Sequence, residues 1–222
     1  KLAGTAEERK KQGLHVYHLN IGQPDLETPK AFYDVLRTLS DNPVAYAQSQ
    51  GSSVAIDAWR EYYSGIGVEL ERDQVVITTG GSEALQFITC MVADHGDEVI
   101  VFEPFYTNYN AFATIANVTL KPVTLDIANG FHLPDDAEIE AAITSRTKAI
   151  LVCNPSNPTG TVLRQDEMDR LVALAQKHDL FLIADEVYRE FVFDGDARTF
   201  LSYTTASDKI IVVDSASKRF NL

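Results

Sequence analysis

Residues 149–188, AILVCNPSNPTGTVLRQDEMDRLVALAQKHDLFLIADEVY, decide the fold. A continuous apolar run at 149–153 meets a turn punctuated by Pro155, Pro158 and Gly160. Beyond it Met168, Leu171, Val172 and Ala175 recur at the spacing of one helical face, and a second apolar run follows at 181–184. Lys177 and His178, at the end of the helical stretch 166–178, suit the negative end of a helix dipole. Runs that are apolar throughout, rather than alternating, suit strands covered on both faces. The pattern therefore predicts a strand–helix–strand unit from a largely parallel sheet with helices on each side.

The same rhythm extends both ways. Further strands are expected at 75–79, 98–102, 119–125 and 209–213, with helices at 82–93, 109–116 and 135–143 between them. Upstream, Phe32, Val35, Leu36 and Leu39 mark a helix over 31–39 that opens after Pro29, and another helix is expected over 54–63. Residues 1–13 are charged and helix-forming. The fold class expected is α/β, a three-layer α/β/α domain on a mostly parallel sheet, with no internal repeat and no low-complexity tract.

The 222 residues are 45% hydrophobic and 23% charged, which excludes disordered and collagen-like compositions. Nineteen Lys and Arg against 32 Asp and Glu leave a net charge of -13, so the long-range field repels phosphate backbones and anionic lipid. Partners of nucleic-acid or membrane type are not expected. The apolar runs are far shorter than the roughly 20 residues that cross a bilayer, and no apolar stretch of secretory type follows the N-terminus. Cys90 and Cys153 lack metal-ligand spacing and read as reduced, buried thiols of a cytoplasmic protein. None of the five histidines has a metal-binding spacing.

Four elements carry chemistry. Gly80, Gly81 and Ser82 join a strand to a helix: the glycines allow a sharp turn, Ser82 can cap the helix, and the helix N-terminus is a seat for phosphate. In NPSNPTG, residues 154–160, the two prolines hold Asn154 and Asn157 extended at a strand's carboxyl end, where open α/β sheets place ligands. In LIADEVY, residues 182–188, Asp185 at the inner end of a buried strand needs a cation or strong donors, which a protonated heterocyclic nitrogen would supply, while Glu186 is expected at the surface or at a helix N-terminus. In VVDSASK, residues 212–218, Ser215, Ser217 and Lys218 follow another strand: the hydroxyls with the lysine suit a phosphate, or the lysine can form an imine with an aldehyde cofactor.

In this order and at these intervals, the four elements resemble the class I and II aminotransferases, fold-type I pyridoxal-phosphate enzymes. IGQPD at 21–25, YAQSQG at 46–51, PFYTNY at 104–109 and SASKRF at 215–220 extend the resemblance over essentially the whole chain. It implies an amino-acid:2-oxoacid aminotransferase acting in ping-pong fashion with pyridoxal 5′-phosphate as cofactor. Lys218 would hold the cofactor as an internal aldimine and serve as general acid and base. Asp185 would pair with the pyridinium nitrogen, Asn157 and Tyr188 would hydrogen-bond the phenolic oxygen, and Tyr106 would stack on the ring. The phosphate would rest on Gly81 and Ser82, with hydroxyls from Ser82, Ser215 and Ser217. Tyr46 would reach the phosphate of a neighbouring subunit in a homodimer, and Gly22 and Asn157 would lie at the substrate.

The resemblance further implies a segment, residues 1–30, that contributes to a small domain and the substrate entrance, followed by a cofactor-binding large domain, residues 31–222. That domain is expected to be incomplete at its C-terminal end, because the family continues beyond the Schiff-base lysine with a sheet strand and a small domain. The amino acid and the 2-oxoacid stay open. Two other readings of the scaffold are a C–S or cyclising lyase and a non-catalytic cofactor-sensing module.

Overall fold

The computed structural model describes residues 2–18, 22, 26–39, 46–203 and 208–222. Of the motif at 21–25, only Gly22 falls among them. Five strands, β1 (Glu98–Glu103), β2 (Thr119–Thr124), β3 (Thr147–Cys153), β4 (Phe181–Asp185) and β5 (Ile210–Val213), form one sheet in the order β2-β1-β3-β4-β5. All four pairings are parallel. The helices before and between the strands are α1 (Ala3–Lys11), α2 (Lys30–Thr38), α3 (Ser53–Ser64), α4 (Gly81–Val92), α5 (Tyr109–Ala116), α6 (Asp136–Ala141) and α7 (Gln165–Lys177), and the short α8 (Ala216–Arg219) follows β5.

The apolar runs give the sheet two buried faces. Ile100, Ile150, Val152, Leu182 and Ala184 pack with Ile139 of α6 and the Met168, Leu171, Val172, Ala175 face of α7. Their sequence neighbours Val99, Val101, Ala149, Leu151 and Ile183 point the other way, against Leu85 of α4 and Phe112 of α5. This is the α/β layering expected from continuous rather than alternating runs. Ile100, Ile150, Leu171 and Leu182 are fully buried, each worth about 1.5–3 kcal/mol of transfer free energy.

Two expectations are corrected here. Residues 75–79 form no strand: the Ile77 amide donates to the Gln50 carbonyl at 2.8 Å, and Gln50 Nε2 reaches the Val75 carbonyl at 2.8 Å, so a turn takes the bonds a neighbouring strand would take. Gly51 permits that approach, since its φ is +112° and a Cβ there would lie 2.5 Å from Ile77 Cβ. Val75, Val76 and Ile77 instead line a cleft of about 680 Å³ together with Ile211, Val212 and Val213 of β5. β5 is hydrogen-bonded within the sheet on its β4 side alone among the described residues.

The second correction concerns α2. The helix forms after Pro29, but Val35 and Leu39 are about two-thirds exposed and Phe32 and Leu36 remain partly so, so the apolar spacing marks a face that nothing among the described residues covers. No helix among the described residues is long and apolar enough to cross a membrane.

Candidate active site

Parallel strands deliver their carboxyl ends to one rim of the sheet, and the chemistry-bearing residues collect there. Asp185 closes β4 with Cys153 of β3 on one side and Val213 of β5 on the other. Its side chain is 3% exposed, and its donors are the Tyr109 hydroxyl, at 2.7 Å, and the Val187 amide, at 3.4 Å. Burial raises the Asp185 pKa, and these two donors pull it back down. Burial and the Asp185 charge together push the Tyr109 hydroxyl well above its ordinary value, which keeps it a donor.

Lys218 sits on α8, its Nζ donating to the Gly22 carbonyl at 3.3 Å and standing 6.0 Å from the Tyr188 ring centroid. The Tyr188 hydroxyl accepts from Asn157 Nδ2 at 3.5 Å, so Lys218, Tyr188 and Asn157 form a sequence of neighbours. Asn157 is held by its loop. The Asn154 amide donates to the Asp185 carbonyl at 2.9 Å, and Asn154 Oδ1 accepts from the Leu163 amide at 2.9 Å. That bond uses the Asn154 carboxamide oxygen to fasten the loop, and Asn154 is only 2% exposed; of the two asparagines, Asn157 is the one left to face a ligand. Tyr106 packs edge-on against Tyr109, with ring centroids 5.6 Å apart, and its hydroxyl accepts from Asn108.

At the start of α4 the expected cap is corrected. Gly80, with φ of +80°, occupies the N-cap and Gly81 is the first helical residue, which leaves Ser82 inside the first turn. The position needs a left-handed backbone, and glycine adopts it without a Cβ penalty. The first-turn N–H groups have no partner within a helix, and Glu83 bends back to accept from the Thr79 amide at 2.6 Å. A Cβ on Gly81 would lie 3.4 Å from Val187 Cγ1 and Val213 Cγ1 and 3.9 Å from Ser215 Cβ, so the turn is packed directly onto the β5–α8 junction. Ser215 caps α8, its Oγ accepting from the Ser217 amide at 3.2 Å, while Ser217 itself is exposed.

Gly81, Ser215, Asp185, Tyr188, Asn157 and Lys218 are thus gathered on one rim. Tyr46 is not among them: its side chain is fully exposed. Tyr109 was legible in sequence only as a helix start. Its polar role could have been anticipated from Asp185's need for a donor, but nothing in the spacing selects position 109. Of the two places expected for Glu186, the surface is wrong and the helix N-terminus is met, at the first residue of the 3-10 helix Phe200–Tyr203. Glu186 is fully buried, accepts from the Phe200 amide at 2.7 Å, and burial pushes its pKa up to about 8. The cysteines divide as well: Cys90 is exposed on α4, while burial and the neighbouring Asp185 push the Cys153 thiol up. No group of metal-ligating side chains occurs among the described residues.

Comparison with known proteins gives the same reading. The family model for aminotransferase class I and II matches residues 15–222. The aspartate/prephenate aminotransferase of Thermus thermophilus is 31% identical over 217 residues, covering 97% of this chain and 56% of that protein. The arginine–pyruvate transaminase of Pseudomonas aeruginosa is 33% identical over 214 residues, covering 95% and 54%. The crystal structure of Thermotoga maritima aspartate aminotransferase superposes with a TM-score of 0.92 at 30% identity, covering all of this chain and 59% of that one. The chain spans a little over half the length of these relatives. It belongs to the class I and II aminotransferase family, whose cofactor is pyridoxal 5′-phosphate.

Proposed function

We propose that this chain binds pyridoxal 5′-phosphate and transfers an amino group between an L-amino acid and a 2-oxoacid, by turns in one site. The observation that carries the reading is Asp185: a buried carboxylate with a hydroxyl and an amide donor but no cation among the influences that set its pKa. A protonated ring nitrogen supplies the missing charge. The remaining donor set also fits the cofactor, with a lysine amine for an aldehyde, a glycine turn at a helix N-terminus for a phosphate, and Asn157 beside Tyr188 for a phenolic oxygen.

When bound, the cofactor ring supplies a sink for the electrons left at the substrate Cα. Asp185 would keep the proton on the ring nitrogen, and Asn157 and Tyr188 would hydrogen-bond the phenolic oxygen. Tyr106 would pack on the cofactor ring. The Gly81 and Ser82 N–H groups hold the phosphate with the hydroxyls of Ser82, Ser215 and Ser217. The Lys218 Nζ would hold the cofactor aldehyde, and the same amine would serve as the base that takes the proton from the substrate Cα. Gly22 and Asn157 flank the substrate carboxylate. The same proposal extends to a cytoplasmic homodimer in which Tyr46 reaches the partner's phosphate site, and to a boundary near residue 30 between an entrance segment and the cofactor-binding domain.

The test is absorption spectroscopy of the purified chain mixed with pyridoxal phosphate. The visible band of lysine-bound cofactor should form, should be absent in Lys218→Ala, and should give way to the pyridoxamine spectrum with one amino acid of a panel that includes aspartate and arginine. Release of ammonia instead of retention of the amino group on the cofactor would overturn the transferase reading in favour of a lyase.

A further inference from the structure

Lys218 lies on a helix of four residues, far below the length at which a helix holds itself. What fixes it starts with the residue after Lys218. Arg219, the next residue, is buried with a side chain 6% exposed. Its guanidinium grips Asp214 in a bidentate pair, with N–O distances of 3.1 Å. Asp214, itself 8% exposed, also accepts from the Tyr63 hydroxyl of α3 at 2.7 Å and, through Oδ1, from the Ser215 amide at 2.7 Å. The Arg219 guanidinium stands 4.6 Å from the Tyr62 ring centroid. Tyr62 in turn bonds Arg189 and Glu190, on the chain just past Asp185 and Tyr188.

Three elements that carry Asp185, Tyr188, Ser215 and Lys218, or that brace them, therefore converge on one ionic and aromatic cluster, which meets the residues assigned to the cofactor at the Ser215 backbone amide. We infer that the Asp214–Arg219 pair, held by Tyr63, is a positioning device that sets the location of the Lys218 amine. Arg219 stands one residue from Lys218, and Asp214 cancels its charge. The other charged and titratable groups of the cluster are Arg189, Glu186, Glu190 and Tyr62, and Tyr188 faces Lys218 from the site side. The significance of the inference rests on Lys218 being the cofactor lysine, but its geometry does not.

The test reads Lys218 in the full chain without cofactor. Acetic anhydride is applied across a pH series, and acetylation is quantified peptide by peptide by mass spectrometry, with Lys121 and Lys148 as controls. In Arg219→Lys, which keeps the charge but loses the bidentate grip, and in Tyr63→Phe, which removes one donor to Asp214, the Lys218 rate should change at least about threefold or its pH midpoint should move by about half a unit or more, with the controls unchanged. Asp214→Asn, which takes one carboxylate oxygen from the grip on Arg219, should change the Lys218 rate likewise. An unchanged Lys218 profile in Tyr63→Phe and Arg219→Lys, with only the unfolding midpoint lowered, would overturn the inference and leave the pair a purely structural one. Should Arg219→Lys unfold, all three lysines react alike, and Tyr63→Phe decides by itself. A chain that fails to bind pyridoxal phosphate yet shows the Lys218 response refutes the functional proposal and not this one.

Discussion

Replacing Tyr109 by Phe isolates the bond on which Asp185 depends. The ring stays, so its stacking on Phe105 and edge contact with Tyr106 stay too. What goes is the 2.7 Å hydroxyl donor, leaving a 3% exposed carboxylate with one amide at 3.4 Å. A hydrogen bond to a charged group is worth about 1.5–3 kcal/mol, and the near-absence of a substitute donor places the cost in the upper half of that range. In an Asp185→Asn background the same hydroxyl meets a neutral acceptor worth about 1 kcal/mol, so a double-mutant cycle should give a coupling of about 1–2 kcal/mol.

The pH dependence has a definite sign. The folded pKa of Asp185 is raised, so its contribution to stability is greatest below the unfolded value near 3.9 and is lost as pH rises through the folded value. Tyr109→Phe raises that folded value further, so its cost is larger at pH 8 than on the acid side, where the carboxyl is protonated. Urea unfolding of the cofactor-free chain, followed by the fluorescence of Trp59, the single tryptophan, measures all four species. A Tyr109→Phe cost that is the same at both pH values, or that persists unchanged with Asn at 185, would refute the reasoning.

Glu186→Gln should flatten the pH dependence of stability: the buried carboxyl titrates at about 8, so its contribution is present below about pH 4.5 and lost as pH rises through 8, a swing of a few kcal/mol seen by denaturant titration from pH 5 to 9. Gly51→Ala should cost about 2 kcal/mol or more in thermal unfolding, because its Cβ would lie 2.5 Å from Ile77 Cβ at a φ of +112°, and shortening Ile77 should recover only part of the loss. A thiol reagent at neutral pH should modify the exposed Cys90 quickly and Cys153 only on unfolding, which mass spectrometry of the two peptides will show.

Elements whose identity depends on local periodicity were legible in the sequence. The Met168, Leu171, Val172, Ala175 face and the continuous runs of β1, β3 and β4 are buried as their spacing predicts, because every residue they need for a partner lies in the same α/β rhythm. Failures occurred where a partner decides. Val75, Val76 and Ile77 have strand composition but meet a turn, and the α2 stripe has helix spacing but no cover among the described residues. For Glu186 the sequence left the surface and a helix N-terminus open, and only the return of the chain at Phe200, which starts a 3-10 helix, decides for the second. In the candidate site, Asp185, Asn157, Tyr188, Gly81, Ser215 and Lys218 could be named from motif order, since strand ends and glycine turns announce themselves. Tyr109 could not, because its role arises from the first residue of α5 reaching the end of β4.

The sheet is parallel throughout, and this has a consequence for the order in which the molecule can assemble. No pairing is closed by a hairpin: Glu98 pairs with Thr119, Val99 with Ala149 and Ala149 with Phe181 across α-helical crossovers, and Leu182 pairs with Ile210 across a connection that holds the 3-10 helix Phe200–Tyr203. Loop entropy must be spent before any of these contacts returns stability, which places folding on the slower side for a domain of this kind. As synthesis proceeds, β1 and β2 can pair first, yet the strand that belongs on the other side of β1 is made only later. Asp185 is made after β1, β2 and β3, and Lys218 only after β5, so the site rim cannot exist to receive a ligand until all five described strands have been made.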